Sequence, residues 1–195
     1  MKLFNICEII LDCILLILLI YHICKREFKP LKSILVIFVL SFLPACLNAF
    51  FQIKIDALSS LLYLLILFMA LYLGSSLKFY DRYKWWDRVI HFLSGVSFVG
   101  FGIAIGAINT GVLKWGFLFF GFTFSITLHV FWEVCEYISD CLSHGNAQRW
   151  QKRNDSVNHV SEKAIQPAGL VDTMNDFICC IVGAALAVIV WCFIL

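Results

Sequence analysis

Long apolar runs alternate with short polar turns along the whole chain. Six runs are long enough to span a bilayer as helices, at about 3–24, 33–53, 56–77, 87–109, 113–138 and 171–194. Roughly 20 apolar residues cross a hydrocarbon core of ~30 Å. Lipid offers the backbone no hydrogen-bond partner, so each run is expected to close its own hydrogen bonds as a helix. The pattern predicts an all-α fold, a bundle of six transmembrane helices making one transmembrane domain over residues 1–195. Pro44 lies inside the second run and predicts a kink, because proline removes one intrahelical bond. Gly102 and Gly106 are spaced to let another helix approach closely.

Composition narrows the class. Hydrophobic residues make up 62% of the 195 positions and charged residues 14%, with a mean hydropathy of +0.90. An ordinary soluble domain is about 45–50% apolar and about 25% charged. A soluble fold of this size cannot hide so much apolar surface, so a soluble enzyme, a secreted disulfide scaffold and a disordered chain are excluded. Most of the nine cysteines sit in apolar runs, where cysteine behaves as a small hydrophobe, and no Cys/His metal spacing occurs. The first run carries Glu8 and Asp12 and no small-residue cleavage site follows it, so it reads as a span and not as a signal peptide.

Charge placement gives an orientation. Every basic residue except Lys2, Lys54 and Lys114 lies in the turns after the first, third and fifth runs. The positive-inside rule puts those turns in the cytoplasm and both termini outside it. The longest polar stretch, 139–170, is then a cytoplasmic loop, and it is shorter than a soluble domain of ~100–150 residues. Trp85, Trp86 and Trp150, with Tyr80 and Tyr83, read as interface anchors. Nothing in the chain resembles a nucleic-acid surface, and the partner expected from composition is the lipid bilayer.

The candidate chemistry lies in the ionisable residues within the spans, each costing about 2.5–3.5 kcal/mol at mid-bilayer on insertion scales. Asp87 and His91 open the fourth span. His129, Glu133 and Glu136 close the fifth, and Asp172 and Asp176 open the sixth. Each group follows i, i+4 or i, i+4, i+7, so each occupies one helix face. The alternating topology brings all three groups to the cytoplasmic end of the bundle. Together they would form a pocket of five carboxylates and two imidazoles. So many carboxylates cannot all remain ionised side by side in a low dielectric, so protons or cations must neutralise them. Oxygen-rich sites with imidazole suit Mg²⁺, Mn²⁺, Fe²⁺ or Zn²⁺, and helical bundles build dimetal centres from facing acidic and His residues. His91, Glu133 and Asp176 are the candidate catalytic residues. Asp87, His129, Glu136 and Asp172 join them as candidate metal ligands. Arg149, Lys152 and Arg153 are candidates to hold a substrate phosphate over the pocket.

Asp87-x-x-x-His91-Phe92, then Glu133-x-x-Glu136, then Asp172-Thr173-x-x-Asp176 followed by Ile181-Val182-Gly183-Ala184, resemble the YjdF-like family of bacterial inner-membrane proteins. The resemblance covers roughly residues 80–190. It implies a bacterial plasma-membrane location and the grouping of these motifs, but no biochemical activity. The family pattern has a Gly-Asp pair before the last helix, where this chain has Gly169-Leu170-Val171-Asp172, which implies one acidic ligand fewer.

Three functions compete at this level. A metal at the membrane interface would serve an enzyme acting on a lipid or phosphate-bearing substrate. A chain of intramembrane acids and histidines equally marks a cation- or proton-coupled transporter, for which six helices without a repeat would call for a homo-oligomer. Glu8 and Asp12, in the outer half of the first span, favour that reading. In the third, the acids pair with Arg82 and Arg88 and only fix helix packing.

Overall fold

The computed structural model describes residues 2–107, 114–143 and 168–195, and among these every regular element is a helix. α1 (Lys2–Lys25) ends where Arg26 adopts a left-handed conformation, φ 57°, and the chain turns into α2 (Lys29–Ser41) with Pro30 in its first turn. The second span breaks before Pro44 and resumes as α3 (Leu43–Phe51). Proline lacks the N–H that would bond the Leu40 carbonyl. The Tyr63 hydroxyl donates to that carbonyl instead, at 3.0 Å. The kink expected at Pro44 is therefore present and its freed acceptor is satisfied.

α4 (Ala57–Leu67) is capped by Asp56, whose carboxylate accepts the Ser59 N–H at 2.9 Å. It continues as a π-helical stretch, Phe68–Ser76. A short turn, α5 (Phe79–Arg82), leads into α6 (Trp86–Gly106), followed by α7 (Lys114–Ser143) and α8 (Ala168–Ile194). Six of the helical stretches are long and apolar enough to cross a membrane: Ile6–Lys25, Lys29–Phe51, Ala57–Ser76, Trp86–Gly106, Lys114–Leu142 and Gly169–Ile194. The fifth runs to Leu142, beyond the expected end at 138, so the start of the expected 139–170 loop is helix.

α6 is the centre of the molecule. It packs against α4, α7 and α8, while α1 lies on α2 and α4. Leu15, Ile34, Ile37, Tyr63 and Phe101 form the core on the α1/α2/α4 side, and Val99, Ile103, Leu118, Ala184 and Ala187 form the core among α6, α7 and α8. Large apolar side chains such as Phe119, Leu142 and Phe193 cover the outside, the inverse of a soluble surface.

The α6–α8 crossing is unusually close. A Cβ on Gly95 would run into the Cys180 carbonyl oxygen, and a Cβ on Gly183 into the Phe92 carbonyl oxygen. Each helix thus offers a glycine to the other's backbone. Gly102 does the same toward α7, where an added Cβ would stand 2.7 Å from the Gly121 Cα, so the small-residue spacing marks a real helix approach. Trp85 and Tyr83 are exposed, as interface anchors should be. Trp86 is buried, with its ring 4.9 Å from that of Phe79 and its indole N–H donating to the Met69 carbonyl at 3.4 Å. It is a core residue because the turn at α5 folds Phe79 over it.

Candidate metal centre at one end of the bundle

The first two turns of α6 carry Asp87 and His91. The second half of α7 carries His129, Glu133 and Glu136, and the start of α8 carries Asp172 and Asp176. Because α6 and α8 enter the bundle where α7 leaves it, all seven come to one end. The close Gly95/Gly183 crossing sits one turn deeper and pulls α6 and α8 together at that level.

His91 is the hub. Its Nε2 lies 3.2 Å from Asp87 Oδ1 on its own helix and 3.9 Å from Asp176 Oδ2 on α8. The His129 ring stands edge-on to that of His91, with centroids 4.4 Å apart and planes at 82°. His129 Nε2 and Glu133 Oε1 are 4.0 Å apart, one turn from each other on α7. Thr173 bonds the Glu133 carboxylate across the α7–α8 seam, and Phe177 closes the wall behind His129 at 5.8 Å between rings. Glu136 accepts the Trp132 indole N–H at 2.7 Å. Asp172 is close enough for its charge to act on Glu133 and Asp176. Deeper in, the Ser94 hydroxyl donates to the His91 carbonyl at 2.8 Å and the Ser125 hydroxyl to the Gly95 carbonyl at 3.0 Å.

Four of these side chains are almost sealed. His91, His129, Glu133 and Asp176 are 4%, 4%, 5% and 3% exposed. Yet His129 Nε2 and Glu133 Oε1 are buried without any hydrogen-bond partner. An orphaned buried polar atom costs about 1–3 kcal/mol, and here two such atoms face each other. Two overlapping sets have ligand atoms all within 4.8 Å of one another: His91, His129 and Glu133, and Asp87, His91 and Asp176. Ligand bonds to a transition metal run about 2.0–2.2 Å, so a cation placed between His129 and Glu133 needs little more than a rotamer adjustment. The donor set, two imidazoles with surrounding carboxylates, suits Zn²⁺, Fe²⁺ or Mn²⁺ better than Mg²⁺, which prefers oxygen and retained water.

Not every expected residue joins this group. Arg149, Lys152, Arg153 and Trp150 lie outside the described residues. Glu8 and Asp12 lie on α1, which does not pack on α7 or α8, and Asp12 meets the Ser41 hydroxyl and leaves its Oδ1 buried without a partner. Arg82 lies over the Phe79 ring at 5.9 Å, while Asp176 lies 3.9 Å from His91 Nε2 and Glu133 4.0 Å from His129 Nε2.

Two features enter with the structure. Asp140 is 8% exposed and continues the inward face of α7, four residues past Glu136. That spacing was readable once the helix was extended past 138. The second is His22, buried and bridging the Tyr72 hydroxyl and the Glu27 carboxylate at 3.0 Å each. It ties the end of α1 to the π-helical stretch, and no sequence pattern pairs residues so far apart.

A family model described as "Predicted membrane protein (DUF2238)" matches residues 7–195, and the chain belongs to that family. Its description agrees with the kind of family the motifs resemble, a membrane-protein family without an assigned activity. No curated protein and no solved structure matches the chain.

Proposed function

From its place in a family of membrane proteins, we propose that this protein holds a divalent metal ion among His91, His129 and Glu133 and uses it in an enzymatic reaction at the cytoplasmic face of a bacterial plasma membrane. The observation that carries this reading is the facing pair of orphaned, sealed atoms, His129 Nε2 and Glu133 Oε1. Unpaired polar atoms are rare in protein interiors and ask for an explanation. A cation between them supplies one, since it replaces two unmet hydrogen bonds with two coordinate bonds.

Two imidazoles and one carboxylate make three protein ligands, the number that leaves a catalytic metal one open position. A bound metal supplies Lewis acidity and an acidified water. The chain's own residues do the rest. Asp87 and Asp176 flank His91 and fix its ring, as carboxylates do beside ligating histidines. Asp176 is the better placed to accept a proton inside the pocket, being the more buried of the two. Thr173 holds Glu133 toward the seam. The substrate class that fits an interfacial site is a lipid or a phosphate-bearing, lipid-linked molecule, with the basic positions Arg149, Lys152 and Arg153 as its contacts.

A cation- or proton-coupled transporter is the second reading. It draws on Asp12, within the first span, whose Oδ1 is also buried and unpartnered. The enzyme reading stands first because the histidines and their carboxylates gather at one end and do not run through the bilayer.

The two readings separate in one pair of assays. The enzyme reading expects metal-dependent cleavage of lipid-linked ester or phosphoester substrates in detergent, abolished in Glu133→Gln. Proteoliposomes that move cations or protons down a gradient, with no hydrolysis in detergent, would replace it with the transporter.

A further inference from the structure

The inward face of α7 carries ionisable residues well past the sealed pocket. His129, Glu133, Glu136 and Asp140 follow i, i+4, i+7 and i+11, so all four share one face. At 1.5 Å per residue they extend over roughly 16 Å from the pocket toward the helix end. Their neighbours on the same turns, Val134, Tyr137 and Ile138, are exposed and apolar or aromatic. The acids are thus on the inside of the helix and the lipid-compatible residues on the outside. An acid kept only for solvation would show the opposite pattern.

Two further facts oppose a bland reading of Asp140. It lies in the last turn of α7, where the helix dipole disfavours negative charge. Asp140 is also 8% exposed, although it sits within the last turn before Ser143. Neither Asp140 nor Glu136 belongs to the two groups whose ligand atoms converge on His91. Glu136 nonetheless feels the charges of Glu133, Asp87 and His91, and the Trp132 indole N–H holds its carboxylate at 2.7 Å. At the inner end of the row are the orphaned Glu133 Oε1 and His129 Nε2.

We infer that Asp140 and Glu136 form the entry route by which a divalent cation passes from the membrane interface to the pocket of His91, His129 and Glu133. The inference rests on the metal-binding reading above and adds the path. Each step along α7 is about one helical turn, 5.4 Å, a distance at which one carboxylate can take a partly hydrated cation from another. A row of like charge between low-dielectric walls concentrates cations and speeds their arrival. The route residues speed the arrival of the ion and are not themselves among its ligands.

The test is kinetic. Purified protein in detergent is stripped of metal, then loaded with Zn²⁺ in a stopped-flow instrument, and release is followed with a zinc-chelating dye. Glu136→Gln and Asp140→Asn are expected to slow loading by about ten-fold, with the Zn²⁺ stoichiometry at the wild-type value. Glu136→Asp, which keeps the charge, should restore most of the rate. A variant that misfolds loses sites, which the saturation stoichiometry reads separately, and the Glu136→Asp result then decides. A weaker Kd at an unchanged loading rate would make these residues resident ligands and overturn the route, as would rates that do not change at all. Wild-type protein that takes up no Zn²⁺ would instead overturn the metal reading on which the route rests.

Discussion

At the scale of single residues, the sign of a stability change separates a binding pocket from a packing device. Glu133 Oε1 and His129 Nε2 have no partners, so the metal-free protein carries an unfavourable term there. Glutamine in place of Glu133 offers an amide N–H to His129 Nε2. The metal-free Glu133→Gln variant should therefore be more stable than metal-free wild type by about 1 kcal/mol, and it should gain nothing from added metal. Thermal unfolding with and without a chelator measures both. If the acid served only to pin helices, the same variant would be less stable in every condition. Tyr63→Phe is the matching control. It removes the donor to the Leu40 carbonyl freed by Pro44 and should cost about 1 kcal/mol, with metal binding unaffected. The candidate residues themselves were legible because charged and imidazole side chains are conspicuous in apolar runs. Their pairing was not. The i, i+4 spacing puts Asp87 and His91 on one face, but only the α6–α8 crossing brings Asp176 to the same His91 nitrogen.

At the scale of elements, the pocket depends on glycines that never touch it. Gly95 and Gly183 let α6 and α8 cross backbone to backbone, and His91 and Asp176 lie a turn or two away on the same helices. Gly183→Ala or Gly95→Ala forces the helices apart, at an expected cost of about 1–3 kcal/mol. Metal affinity should fall with it, because the His91–Asp176 spacing opens. Wild-type metal affinity in a destabilised glycine variant would show that the crossing does not position the site. The spans were readable from hydropathy, and the Pro44 break from chemistry alone. Ser139, Asp140 and Cys141 read as the start of a polar loop, while α7 continues as helix to Ser143 with Asp140 buried. The π-helical stretch Phe68–Ser76 had no sequence signal. It shows only in bonds such as Leu77 N–H to the Tyr72 carbonyl and in the contact of Tyr72 with buried His22.

At the scale of the whole molecule, the six helices long and apolar enough to cross a membrane among the described residues would put both termini on one side. On the orientation proposed from the positive-inside rule that side is extracytoplasmic, so reporters fused to either end should be active only outside the cytoplasm. An active cytoplasmic reporter at one end would reverse the orientation and move the pocket to the outer face. The central claim is metal binding, and the direct measurement is the metal content of protein purified without chelator, by mass spectrometry, against a folded Glu133→Gln, Asp176→Asn double variant. The account predicts a near-stoichiometric transition metal in wild type and its loss in the variant. Metal-free wild type that stays empty after addition of Zn²⁺, Fe²⁺ and Mn²⁺, or equal metal in both proteins, would contradict it.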